Sequence, residues 1–272
     1  MSISAPIAPE AAPPVITRRG GIAGKIALGF WILFGLGLVY YLVSAYNPEL
    51  MARYGPLYLK GLWTTLSLVV LSFVFGALVS IPVAFGRMAK NSVARGLSFV
   101  FVYFFRGTPL IAQIFLVYYG FGQFRGAFES VGLWWFFREA WYCAVFAISL
   151  NTAAYQAEIL RGAIESVHRG QWEGARSLGL SPLVIFWKVV LPQAMIVALR
   201  PYANEIILMI KASAIVAIIT VYDLFGETRR AYSRTFDFQT YIWAALFYLA
   251  IVEALRHATA WVERRLIRHL KR

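Results

Sequence analysis

Apolar runs of about twenty residues, nearly free of charge, recur along this chain and are separated by short polar stretches. At 1.5 Å rise per residue such a run crosses the roughly 30 Å hydrocarbon core of a bilayer. The pattern predicts six spanning helices, over about 26–45, 57–85, 100–119, 141–159, 191–221 and 240–262. The runs are continuous and do not alternate with period two, which argues against a closed β-barrel. Arg87, Lys90 and Arg95 follow the second run with no acidic partner, Arg161 follows the fourth, and Arg264, Arg265, Arg268, Lys271 and Arg272 follow the sixth. Positive charge is retained on the cytoplasmic side. The expected fold is therefore an all-α polytopic membrane protein with both termini cytoplasmic.

Local signals refine these elements. Pro82 is expected to bend the second helix, and Arg106-Gly107-Thr108-Pro109 falls inside the third run, where Arg106 and Pro109 shape a helix break or snorkel to the interface. Trp134, Trp135, Phe136 and Phe137 suit a headgroup-level aromatic belt on the outside. Ser181-Pro182 reads as an N-cap followed by proline at the first helical position. Pro192 stands at the start of the fifth run and Pro201 lies inside it. Residues 1–24 are rich in Ala and Pro and read as a disordered cytoplasmic tail, followed at 25–56 by an extra N-terminal helix and outside loop. Val43-Ser44-Ala45 resembles a cleavage site, but the apolar core before it is longer than a signal peptide carries. Residues 57–262 form the main transmembrane domain, with a cytoplasmic loop at 161–190, and 263–272 form a basic cytoplasmic tail.

Composition supports this reading and removes others. The chain is 60% hydrophobic and 14% charged, against about 25% charged for a soluble domain. Its net charge of +13 sits at the ends of apolar runs, the signature of membrane orientation, so no nucleic-acid partner is expected. One cysteine, Cys143, permits no intrachain disulfide, and His168, His257 and His269 are far apart. No metal centre, cofactor or catalytic residue set is indicated. There is no G-x-x-x-x-G-K-[ST] loop, so ATP would have to be bound elsewhere.

Polar residues stand out in two settings. The first is the stretch from Gln171 to Pro182, too charged for lipid and too patterned for a casual linker. Arg169, Glu173 and Arg176 stand at spacings that let Glu173 pair in either direction, while Trp172, Ala175, Leu178 and Gly179 fall roughly opposite. The pattern predicts a short helix ended by a glycine. The second setting is the bilayer interior. Asn204 and Glu205 interrupt the fifth run, and Lys211 shares a face with Asn204. An ionisable residue there either attracts a charged substrate or pairs with a lysine or arginine of this chain or of a partner. Asn151, Tyr155 and Glu158 form a stripe on the fourth helix, and Gln113 lies on the third. Each fits a substrate pathway or polar glue between helices.

The first stretch resembles the loop signature of permease subunits of bacterial ABC importers: Glu-Ala-Ala, three residues, Gly, nine residues, then Ile-x-Leu-Pro. Here it stands as Glu173-Gly174-Ala175, Gly179 and Val189-Val190-Leu191-Pro192, with Gly174 for Ala and Val189 for Ile. Phe105-Arg106-Gly107-Thr108-Pro109-Leu110 and Ala154 to Gly162 are similar to motifs of the polar amino acid branch, and Pro201 to Met209 looks most like its cationic amino acid and opine permeases. The resemblance covers about Leu57 to the C-terminus, a five-helix core to which the first helix is extra. It implies a multi-pass protein of the bacterial inner membrane that imports polar amino acids, cationic ones in the first place, or opines by alternating access. It further implies that the chain is not itself an enzyme. The implied partners are two ATP-binding cassette subunits, a second permease subunit (related or identical), a periplasmic solute-binding protein and membrane lipid. Trp172, Glu173, Gly174, Ala175, Arg176 and Gly179 would form the ATPase-coupling loop, and Glu205, Asn204, Asn151, Tyr155 and Gln113 are candidates for the substrate pathway. A channel, a secondary transporter or an ABC permease for another small polar solute remain alternatives. The first two would leave the 173–192 signature without a purpose.

Overall fold

The structure is a computed structural model that describes residues 21–44 and 46–267. Most of the N-terminal tail, Ala45 of the cleavage-like motif and the end of the basic tail with His269 lie outside the described residues. The chain divides into two compact units, Met1–Glu49 and Leu50–Arg272. The first holds α1 (Ile22–Ser44), whose side chains are apolar on nearly every face, as a lipid-spanning helix requires.

The described residues of the second unit form helices joined by short turns, with no strand among them. The unit begins within α2 (Pro48–Met88) and continues with α3 (Ser92–Gly107) and α4 (Leu110–Phe115), which runs into a π turn to Gly120. Two short helices, α5 (Arg125–Ser130) and α6 (Trp134–Phe137), lead to α7 (Ala140–Glu165) and then α8 (Arg169–Ser177). Next come α9 (Pro182–Ile185), a π turn (Phe186–Val190), α10 (Leu191–Ala212) and a 3₁₀ segment (Ser213–Ile219). The chain closes with α11 (Leu224–Thr235) and α12 (Gln239–Ile267). Among the described residues five helical segments are long and apolar enough to cross a membrane, and α3 with α4 to Gly120, bent by 106°, adds a sixth where the pair is counted as one broken span.

Two starts differ from the sequence expectation for a local reason that the structure shows. α2 starts at Pro48, not at Leu57, because proline suits a first helical turn and because Leu50, Tyr54 and Tyr58 bury against Leu224, Ala231 and Ala244. The fifth span starts at Pro182, not at Leu191: Ser181 Oγ accepts from the Val184 N–H and caps it. Pro192 consequently lies inside a continuous segment of 38 residues. Its missing N–H and its ring are accommodated by the π turn immediately before it. Of the two roles expected for Arg106 and Pro109, the helix break is present: α3 ends at Gly107 and α4 begins at Leu110.

α7 is the centre of the bundle, packing against α3, α4 and α10. Its buried positions are mostly small, including Ala144, Ala147, Ala153, Ala154 and Ala157, and Ala194 and Ala198 face it from α10. Lipid tails are as apolar as leucine, so helices associate here by close backbone approach and interhelical hydrogen bonds. α2 does both. A Cβ on Gly76 would collide with Thr152 Cγ2, and Ser72 Oγ donates to the Val145 carbonyl of α7 at 3.2 Å. Likewise a Cβ on Gly61 would lie 2.9 Å from the Asp223 carbonyl oxygen, which fixes how closely α2 meets the start of α11.

Candidate functional site

α8 is a short helix with a finished end at each side. His168 Nδ1 accepts from the Gly170 N–H at its start. At its finish Gly179 is left-handed (φ +72°), the Gly179 N–H reaches the Arg176 carbonyl and the Leu180 N–H reaches that of Ala175. This is a Schellman stop, and it explains the glycine in physical terms: a side chain there would strain the backbone by about 1–2 kcal/mol.

The two faces of α8 differ. Ala175 is buried and Trp172 half-buried against a cluster containing Leu160, Ile164, Ile185 and Val190. Glu173, Gly174, Arg176, Ser177 and Leu178 are exposed, Leu178 at 80%. Trp172 is therefore turned into its own chain, and Leu178 does not share its side. The expected pairing of Glu173 with Arg169 or Arg176 is absent among the described residues, consistent with the small worth of exposed ion pairs. A Cβ on Gly174 would meet nothing within 4 Å, so nothing in this chain requires that residue to be small. Gln193, just beyond Pro192, donates to the Val189 carbonyl at 2.8 Å and to Gln171 Oε1 of α8 at 3.4 Å, tying α8 to the α9–α10 span.

The second candidate region surrounds the break between α3 and α4. Pro109 has no N–H, so the Phe105 carbonyl four residues earlier loses its helical partner. Two side chains replace it: Gln113 Nε2 donates to Phe105 O at 2.9 Å and Asn151 Nδ2 at 3.0 Å. Gln113 Nε2 also lies 3.1 Å from the Thr108 carbonyl and 2.7 Å from its hydroxyl, while its Oε1 accepts from Asn151 at 3.0 Å. Gln113 and Asn151 are thus engaged in bracing backbone that Pro109 leaves unpaired.

Tyr155 and Glu158 continue the α7 stripe toward Arg106. The Arg106 guanidinium lies 5.1 Å from the Tyr155 ring centroid. Arg106, Tyr155 and Glu158 together border two clefts, one of about 380 Å³ toward Tyr103 and one of about 350 Å³ toward Val197 and Pro201. Glu158 binds Arg87 of α2 at 3.0 Å and Arg161 at 2.7 Å, and Arg161 reaches Glu165 at 2.6 Å. Arg87 was legible only as an orienting charge, because its partner lies 71 residues away.

Glu205 is buried, and Thr152 Oγ1 donates to its Oε1 at 2.9 Å. Gln156 lies behind Thr152 and donates to it at 3.2 Å and to the Phe73 carbonyl at 3.1 Å; its Oε1 has no partner among the described residues. The expected alternative, a lysine or arginine bonded to Glu205, is not found among the described residues. Asn204 and Lys211 are exposed on another face of α10.

The far end of the α9–α10 span carries a buried acidic pair. Asp223 caps α11, accepting from the Gly226 N–H at 2.8 Å, and Tyr248 OH donates to its other oxygen at 3.4 Å. Burial pushes the Asp223 carboxyl up from its ordinary 3.8 to about 6, against these hydrogen bonds. Burial likewise raises Glu227, against the pull of Arg230 and Lys60. A raised carboxyl contributes stability fully below its unfolded value and loses it as pH rises through its folded one. For Asp223 that loss, roughly 3 kcal/mol, falls between about pH 4 and the region just above 6. The purified protein is expected to melt higher at pH 5 than at pH 7.5, and Asp223→Asn, which keeps a capping oxygen, to flatten that difference. Equal slopes in thermal melts of the two proteins would contradict this.

No group of His, Cys, Asp or Glu able to hold a metal ion occurs among the described residues. Comparison with known proteins adds four findings. The family described as binding-protein-dependent transport system inner membrane component matches residues 74–268. The chain is 43% identical over 204 residues to the nopaline transport system permease protein NocM of Agrobacterium fabrum, covering 75% of this chain and 85% of that one. It is 34% identical over 215 residues to the arginine ABC transporter permease protein ArtM of Escherichia coli, covering 79% and 96%. Among solved structures it is similar to an amino acid ABC transporter crystallised with histidines, with a TM-score of 0.72, 33% identity, and 80% and 98% coverage.

Proposed function

Since this chain belongs to the family of inner membrane components of binding-protein-dependent transport systems, we propose a mechanism in which α8 transmits the work of an ATPase to the substrate helix. The protein is a multi-pass inner-membrane permease of an amino acid or opine ABC importer. The observation that carries the mechanism is the continuity of α8, its Gly179 turn and the 38-residue segment that holds Asn204 and Glu205. At 38 residues that segment is far longer than the roughly 20 a helix needs to cross the hydrocarbon core, and in this reading its α9 end is the part that projects.

In this reading the exposed strip Glu173-Gly174-Ser177-Leu178 seats in a groove of an ATP-binding subunit, on the cytoplasmic side. The smallness of Gly174 serves that partner. Trp172 and Ala175 hold α8 to its own chain, so displacement of α8 is passed on as a rigid movement. Two ATP-binding subunits, a second permease and a binding protein complete the importer. ATP hydrolysis belongs to the ATP-binding subunits. The substrate passes along Arg106 and Tyr155, with Glu205 supplying negative charge for an amino or guanidinium group and Arg106 positive charge for a carboxylate, while Asn204, on another face of α10, lines a separate cleft with Arg200 and Arg256. Gln113 and Asn151 shape this passage through the α3–α4 break.

The test is uptake of labelled arginine and nopaline into vesicles carrying the reconstituted importer and its binding protein. Uptake that requires ATP inside the vesicle is expected; uptake driven equally well without ATP would make the chain a channel or secondary transporter. Within that assay Glu205→Gln is expected to weaken arginine uptake by about tenfold, about 1.4 kcal/mol, more than that of a neutral amino acid. Equal loss for both substrates would assign Glu205 to helix packing alone.

A further inference from the structure

We propose that the exposed face of α11 is the docking surface for an acidic edge of the binding protein, with Arg229 and Arg234 as the charged contacts and Tyr222 and Phe236 as the apolar ones. The proposal rests on the permease reading above. α11 lies at the opposite end of the α9–α10 span from α8, so a partner outside the membrane meets it while the ATPase meets α8.

One face of α11 is used internally, since Leu224, Glu227, Thr228 and Ala231 are all buried. The other face carries Arg229 and Arg234, both exposed and without an ion pair among the described residues. Arg230 stands between them, its guanidinium 5.5 Å from the Tyr222 ring centroid and 3.7 Å from Glu227 Oε2. Glu227 is the sole acid of this helix and is 3% exposed, so it does not neutralise the outer arginines. Among the described residues no acid is paired with Arg229 or Arg234, so both are open to an acidic group of another molecule.

The shape suits a protein and not merely an ion. A cleft of about 610 Å³ is lined by Arg229, Arg230, Tyr222, Ser233 and Phe236, and Arg234 stands outside it. Phe236 is 77% exposed and stands at φ +51°, the left-handed region that an aromatic residue rarely adopts. It ends α11, its N–H donating to the Tyr232 carbonyl at 2.8 Å. Strain spent on holding a ring outward, beside arginines and a second half-exposed ring, is the composition of an interface centre. An anionic headgroup would satisfy the arginines but has no need of the cleft.

The experiment uses the complete transporter in nanodiscs of phosphatidylcholine, with ATPase activity followed as its own binding protein is titrated in. The double variant R229E/R234E is expected to raise the half-maximal binding-protein concentration by about tenfold or more, with unchanged activity when no binding protein is present. Added salt is expected to weaken the wild type more than this variant. Phe236→Gly relieves the left-handed strain, so it is expected to raise thermal stability while also weakening the binding protein's effect, a combination a purely structural role does not give. An unshifted titration in both variants overturns the proposal. So does a shift that appears only when anionic lipid is added, which would assign the arginines to headgroups. A preparation in which no ATPase subunit accompanies the chain overturns the permease reading itself, and this proposal with it.

Discussion

Glu173→Lys is expected to lower ATP-driven uptake by about thirtyfold to several thousandfold while leaving the amount of protein in the membrane and its melting temperature unchanged. The asymmetry follows from where Glu173 stands. Its side chain is exposed and bonds to nothing in its own chain among the described residues, so reversing its charge costs the fold almost nothing. In a docked groove the same side chain is desolvated against a complementary group. Truncating or reversing one member of such a pair costs about 2–5 kcal/mol. Uptake per molecule of membrane-inserted protein, set beside a thermal melt, separates the two effects. Trp172→Ala is the control with the opposite signature: it removes packing against Leu160 and Ile185 and is expected to lower the melting temperature.

Gln113→Leu is expected to destabilise the protein by about 2–4 kcal/mol, although leucine is the more lipophilic residue. One amide serves the Phe105 carbonyl, the Thr108 carbonyl and hydroxyl, and the Asn151 amide. Its loss leaves several half-buried polar groups short of partners at up to about 1–3 kcal/mol each, partly relieved because Asn151 still reaches Phe105. Pro109→Ala probes the same point from the other side. It restores an N–H to position 109 and lets Phe105 make its ordinary helical bond, so the 106° bend between α3 and α4 is expected to open. A spin-label distance across residues 97 and 116 reports that opening, and uptake is expected to fall even if the variant melts no lower than wild type. A variant that straightens yet transports normally would remove the break from the mechanism.

What could be read from the sequence and what could not divide along a physical line. The spans were legible because bilayer thickness imposes a run length that few other constraints produce. The Ser181-Pro182 start and the Gly179 stop were legible because both are made by neighbours in sequence. The orientation of α8 was not. Helical spacing groups Trp172 with Ala175 but cannot say whether that side meets the chain's own body or a partner, and Leu178 leaves the group because the helix has ended before it. The tasks of Gln113 and Asn151 were equally hidden, since the carbonyl they share is exposed by a proline and the two residues come together across 38 positions. The pairing of Glu173 with Arg169 or Arg176 was favoured by spacing and yet does not form, because spacing permits a surface ion pair without supplying the energy to hold it.

The docking role of α8 is tested most directly by a photoreactive group at position 174. Cys143 is fully buried, so Gly174→Cys offers a single accessible thiol for attachment in an otherwise unaltered chain. In native membranes, illumination is expected to join residue 174 to the ATP-binding subunit, and a group placed in the same way at Ser233, at the far end of the span, is expected to give no such product. An ATP-binding subunit captured from Ser233, with none from residue 174, would contradict the docking of α8.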